Sequence, residues 1–181
     1  TSGLVSAAAR LHGSHGKPPP RQKEQGGFRL AVYQVVTLPD NILRAKALPV
    51  RKINSGVLRV LDNMRDTMYA FDGIGLAAPQ IGISKRIIVV DTGDNLIEMV
   101  NPEIIYGEGE QTGSEGCLSV PNVVGLVKRA KKVTVKGLNR KGEEVNIEAS
   151  DLLARVFQHE IDHLDGVLFI DRAIETRRKN G

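Results

Sequence analysis

Between Ser150 and the pair Asp165-Gly166, apolar residues fall at Leu152, Leu153, Val156, Phe157, Ile161 and Leu164. This spacing lays one wide apolar stripe along a helix of about four turns. A helix so patterned must be covered on that face, which makes it the element the rest of the fold is built against. Ser150 stands where an N-cap belongs, and Gly166 lies just past the stop. The same helix carries His159-Glu160-Ile161-Asp162-His163. Residues four apart share a face, so both imidazoles can converge on one metal ion, and Glu160 can reach a water there without ligating. The bland alternative is two unrelated histidines. Against it, the chain's histidines are His12, His15, His159 and His163, so beyond the N-terminal segment both belong to this motif.

Two histidines leave an ion short of ligands, and the third decides the class. A metzincin-type protease reads HExxHxxGxxH; this chain matches through Gly166 and then has Phe169 where the last His belongs. A thermolysin-like site needs a downstream Glu, and Glu175, in a short basic stretch, is the one candidate. The stronger option is Cys117, in Glu115-Gly116-Cys117-Leu118-Ser119. A thiolate with two imidazoles suits Zn2+ or Fe2+ with a fourth position open to water. A free Cys is often only a small buried apolar residue, but the Gly- and Ser-flanked setting argues for a ligand. It is the chain's single cysteine, so no intramolecular disulfide forms, which fits a reducing compartment.

With 181 residues, 41% hydrophobic and 25% charged, the chain has the means for one globular domain with a real core. No run reaches the roughly 20 apolar residues of a membrane span. The net charge of +4 is carried by residues 1–30, where Arg10, Lys17, Arg21, Lys23 and Arg29 face the single acid Glu24. The remaining residues balance at twenty basic and twenty acidic. The domain therefore has no excess positive charge, and nucleic-acid binding is not expected. Residues 1–30, rich in Ala, Gly, Ser and Pro, are expected to be a disordered basic tail, either an expression or leader remnant or a transit-like peptide. Residues 31–175 form the expected catalytic domain, and 176–181 a basic C-terminal tail.

Asn54 or Ser55 caps a first predicted helix with Val57, Leu61, Met64, Met68 and Phe71 on one stripe. Strand-like runs follow at Arg86–Asp91, Leu96–Asn101 and Glu103–Tyr106, then a Gly/Glu-rich loop over Gly107–Glu115. Val123–Lys128 and Lys132–Leu138 read as strands, and Asn139-Arg140-Lys141-Gly142 as a hairpin turn into Glu143–Glu148. Hairpins imply antiparallel or mixed sheets. The predicted class is α+β, with the sheets packed around the HExxH helix.

Three segments, Gly73-Ile74-Gly75-Leu76-Ala77-Ala78-Pro79-Gln80, Glu115-Gly116-Cys117-Leu118-Ser119 and Gln158-His159-Glu160-Ile161-Asp162-His163, resemble in order and spacing the signature motifs of the peptide deformylase family. The resemblance covers residues 31–172. It implies a metal-dependent hydrolase that removes the N-formyl group from the formyl-methionine of new polypeptides and releases formate. It implies Cys117, His159 and His163 as ligands, Glu160 as proton acceptor and donor, and the Gln80 amide and Leu118 backbone N–H as oxyanion donors. Ile74, Gly75 and Gly116 would hold the substrate backbone, and Leu152 and Val156 would line the methionine pocket with Ile74 and the His159 ring. Glu115 would pair with Arg129. Arg155 stands where some relatives carry an aliphatic residue, so it is expected in the pocket wall or along its rim; Pro79 replaces the Thr of some members. Fe2+ is the implied ion, with Zn2+ or Ni2+ able to occupy a recombinant preparation. The implied partners are formylmethionyl nascent chains near the ribosome. A monomer with no membrane association is expected, and without a convincing transit peptide the expected setting is a bacterial cytoplasm, an organelle being the alternative. Two rivals stand beside this reading: a small HExxH zinc endopeptidase, and a structural metal domain with every coordination position closed.

Overall fold

The structure, a computed structural model, describes residues 33–179; the basic tail expected at 1–30 lies outside the described residues. The first helix, α1 (Ser55–Ala70), begins as its sequence predicts: Asn54 is the N-cap, its side-chain oxygen accepting the Val57 N–H at 3.0 Å. Leu61, Met64 and Met68 on its stripe are fully buried.

Two antiparallel sheets follow. The first holds β1 (Gly75–Ala77), β2 (Ile87–Val90), β3 (Ile97–Glu108), β6 (Lys132–Leu138) and β7 (Glu144–Ser150), in the order β1-β2-β3-β6-β7. The second holds β4 (Gln111–Cys117), β5 (Val120–Arg129) and β8 (Glu175–Arg178), in the order β4-β5-β8. The two strands predicted across residues 96–106 are one strand, β3. Its register shifts between Val100 and Glu103. Asn101, at φ 52°, turns its side chain to Val50 there, accepting the Val50 N–H and donating to its carbonyl, both at 2.8 Å. Such a bulge bends a strand without ending it.

The predicted loop at 107–115 is largely β4. Its alternate residues Gly113, Glu115 and Cys117 carry no apolar stripe, so period-two patterning is missing where the strand nonetheless exists. The basic stretch predicted as a tail from 176 is instead strand β8, paired with β5 through Val123–Arg178 to Leu126–Glu175. Glu175 is thereby committed to a sheet edge.

The long helix α2 (Asp151–Leu164) starts at Ser150 as predicted, although the Ser150 side chain makes no capping bond. Ala154, Val156, Phe157 and Leu164 are buried in one cluster with Ala77, Ile88, Val90, Met99 and Val135 of the five-stranded sheet. A short helix, α3 (Phe169–Arg172), then packs on β5. The α+β class, with antiparallel sheets around the HExxH helix, is the observed architecture.

Candidate active site

His159, Glu160 and His163 lie on the covered face of α2 and are at most 1% exposed. Cys117 ends β4, where the chain turns at Leu118-Ser119. Its Sγ lies 3.3 Å from His163 Nε2, and the ligand atoms of Cys117, His159 and His163 all fall within 4.8 Å of one another. Burial, then the charge of Glu160, pushes the Cys117 thiol up to about 12. Burial holds His159 below its ordinary value; His163 is held well below, by burial and by His159. Neutral imidazoles present lone pairs, and a cation among them favours the thiolate. One soft sulfur and two nitrogens, enclosed and convergent, fit Fe2+, Zn2+ or Ni2+.

Gln80 reaches the same point from the 3-10 turn Ala78–Ile81, which has Pro79 in its first positions. Its Oε1 accepts the Ala77 N–H at 3.0 Å. That anchor fixes the amide's orientation, so Nε2 faces Cys117 Sγ at 3.5 Å and Ser119 Oγ at 3.2 Å. Ser119, fully buried, belongs to the Glu115–Ser119 motif, but its type alone gave no reason to single it out.

Gly75 is required by its neighbours as well as by any peptide. A Cβ there would stand 2.7 Å from Glu160 Oε1 and 2.8 Å from Val156 Cγ1. Only a residue without that atom lets β1 and the Glu160 carboxylate lie so close. Ile74 and Leu152 are half-buried against the cluster that contains Val156. Leu118 turns its side chain to the cluster around α1, and Gly116 is buried in β4. Strands β1 and β4 are each at the end of their sheet's order.

Glu115, fully buried, sits behind His159. Its Oε1 accepts from His159 Nδ1 at 2.7 Å and from Arg129 Nη2 at 2.9 Å; its Oε2 accepts from Arg129 Nε at 3.0 Å. Burial alone would raise this carboxyl, but the bonds from His159 and Arg129 hold it far below the usual carboxylate range. Arg129 also donates to Asp162 at 2.6 Å. The predicted Glu115–Arg129 pair is thus present. Arg155 is neither pocket wall nor rim: it is 3% exposed and donates to Glu115 Oε2 at 2.6 Å and to the Val127 carbonyl at 2.9 Å. A fully buried carboxylate attracts the guanidinium more strongly than an apolar cleft could accommodate it. Asp162 carries no signal in the sequence beyond its place on α2, and Arg155 carries only its departure from the aliphatic residue of some relatives, which does not point to Glu115.

Residues 32–179 match the family model described as Polypeptide deformylase. The chain is 72% identical over 148 residues to a peptide deformylase of Syntrophomonas wolfei, covering 82% of this chain and 97% of that one. The crystal structure of a peptide deformylase from Thermotoga maritima superposes with TM-score 0.78 at 43% identity, covering 80% of this chain and 99% of that one. A class I type b peptide deformylase from Acinetobacter baumannii, bound to Met-Ala-Ser, superposes with TM-score 0.77 at 39% identity, over 79% of this chain and 99% of that one.

Proposed function

The chain belongs to the peptide deformylase family, and on that premise we propose how its residues divide the work. Members are hydrolases that remove the N-formyl group from new polypeptides, and the chain is such a hydrolase. The observation that carries the residue assignment is the buried convergence of Cys117, His159 and His163, with Glu160 and Gln80 beside it. These three residues hold a divalent ion. When bound, the ion supplies Lewis acidity, lowering the pKa of water and polarising a carbonyl.

Glu160 takes the proton of the attacking water and passes it to the departing amine nitrogen, acting first as base and then as acid. The Gln80 amide, aimed by Ala77, and the Leu118 backbone N–H donate to the oxyanion that forms when the formyl carbon becomes tetrahedral. One such donor is worth about 10²–10³ in rate. Ile74, Gly75 and Gly116 hold the peptide backbone: β1 and β4 are edge strands, and an extended chain adds to such an edge by main-chain bonds. Leu152 and Val156, with Ile74 and the His159 ring, receive the methionine side chain.

Fe2+ is the native ion. The Cys/His/His set accepts it alongside Zn2+ and Ni2+, and family resemblance favours iron. The substrates are formylmethionyl nascent chains met near the ribosome by a monomer in a bacterial cytoplasm. Relatives from bacteria, and no helix among the described residues long and apolar enough to cross a membrane, support that setting. Anaerobically prepared protein should release formate from formyl-Met-Ala-Ser and leave casein intact; casein cleavage without formate release would favour the endopeptidase.

A further inference from the structure

Arg129 divides its guanidinium between Glu115 and Asp162, and Asp162 is also held by Arg172. A second cation, Arg155, meets Glu115 at Oε2. From the first half of α2, its Nη1 also meets the backbone carbonyl of Val127 on β5. Arg155 therefore ties the helix to β4 and β5 through one group, two turns ahead of His163. Gly113 on β4 makes the room: a Cβ there would stand 3.2 Å from Arg155 Nη2 and 3.3 Å from Cζ.

With Arg129 and Arg155 both on Oε2, the carboxylate has little freedom to rotate, and Oε1 stays on His159 Nδ1. A proton held on Nδ1 leaves Nε2 with its lone pair, and a fixed ring keeps that lone pair aimed. We propose that Arg155 is a positioning residue for the metal centre: by pinning Glu115 it fixes the tautomer and orientation in which His159 binds the ion. This rests on Cys117, His159 and His163 being the ligands.

The test uses the protein loaded with Co2+, following both its visible absorption and the rate at which EDTA removes the ion. Arg155→Met should lose Co2+ about tenfold to a hundredfold faster than the parent, with altered Co2+ bands. Arg155→Lys should fall between the two. Circular dichroism and melting of the metal-free proteins report folding separately. If Arg155→Met does not fold, Gly113→Ala, which crowds the same guanidinium, should speed Co2+ loss in the same direction. A lowered melting temperature with parental Co2+ release and bands would make Arg155 a mere strut and overturn the proposal. So would parental release from Arg155→Lys and Gly113→Ala should Arg155→Met fail to fold. A parent that binds no Co2+ overturns the ligand set itself, and this role with it.

Discussion

At the scale of single residues, the site depends on close approaches that tolerate no extra atom. Gly75→Ala would drive a Cβ to 2.7 Å from Glu160 Oε1, displacing either the strand or the carboxylate. A misplacement of about 1 Å in a catalytic group costs on the order of 10²-fold. Formate release by Gly75→Ala should fall by about that much while metal content stays at the parental level; an unaltered rate would mean Glu160 need not sit where it does. The protonation of the ligands gives a second residue-scale outcome. The Cys117 thiol is pushed up to about 12, whereas both histidines are held below 6.5. Zn2+ added to metal-free protein at pH 7.5 should therefore release roughly one proton, from the thiol, since imidazoles held below 6.5 are neutral there. Release of roughly two to three protons, read with a pH indicator, would show the histidines charged beforehand. His159, Glu160, His163 and Cys117 were legible because their residue types and spacing carry the chemistry. Ser119, Asp162 and Arg155 were not, because their roles depend on which distant side chain faces them.

Among the elements, legibility followed burial pattern. The helices α1 and α2 and the strand β6 display their period because one face packs on apolar neighbours. Strand β4 escaped detection because Gly113, Glu115 and Cys117 serve a charge network and a ligand instead of a hydrophobic core. Strand β8, Glu175–Arg178, is exposed throughout, and its charged residues look like a tail until β5 pairs with them. The network behind β4 has its own energetic signature. Arg129→Met leaves the buried Glu115 with fewer partners and Asp162 without its inner one. Breaking a buried pair in this way costs about 3–5 kcal/mol, so urea unfolding of the metal-free variant should show a loss of that size. A loss below about 1 kcal/mol, the range of exposed pairs, would contradict the picture of a desolvated cluster.

For the whole molecule, the order β1-β2-β3-β6-β7 could not be read locally: β3 passes over the β4–β5 hairpin to pair with β6, a choice made by non-local packing. That arrangement buries Glu115, His159 and His163 together and sets the pH response of the fold. Glu115 titrates below its ordinary 4.5 when folded, so its contribution is intact above that value and is lost as pH falls through the lowered folded range. His159 and His163 titrate below 6.5 when folded, so the unfolded chain binds the extra protons and stability falls as pH drops below about 6.5. Metal-free protein should thus unfold more easily in urea at pH 5 than at pH 7.5, and a flat profile would mean the histidines are accessible to water. The central claim is that a metal held by Cys117, His159 and His163 and a proton handled by Glu160 together hydrolyse a formamide. It is tested most directly by formate release from formyl-Met-Ala-Ser with parent and Glu160→Ala proteins, measured alongside their metal content. The account predicts equal metal in both and nearly complete loss of formate release in the variant; equal rates at equal metal content would contradict it.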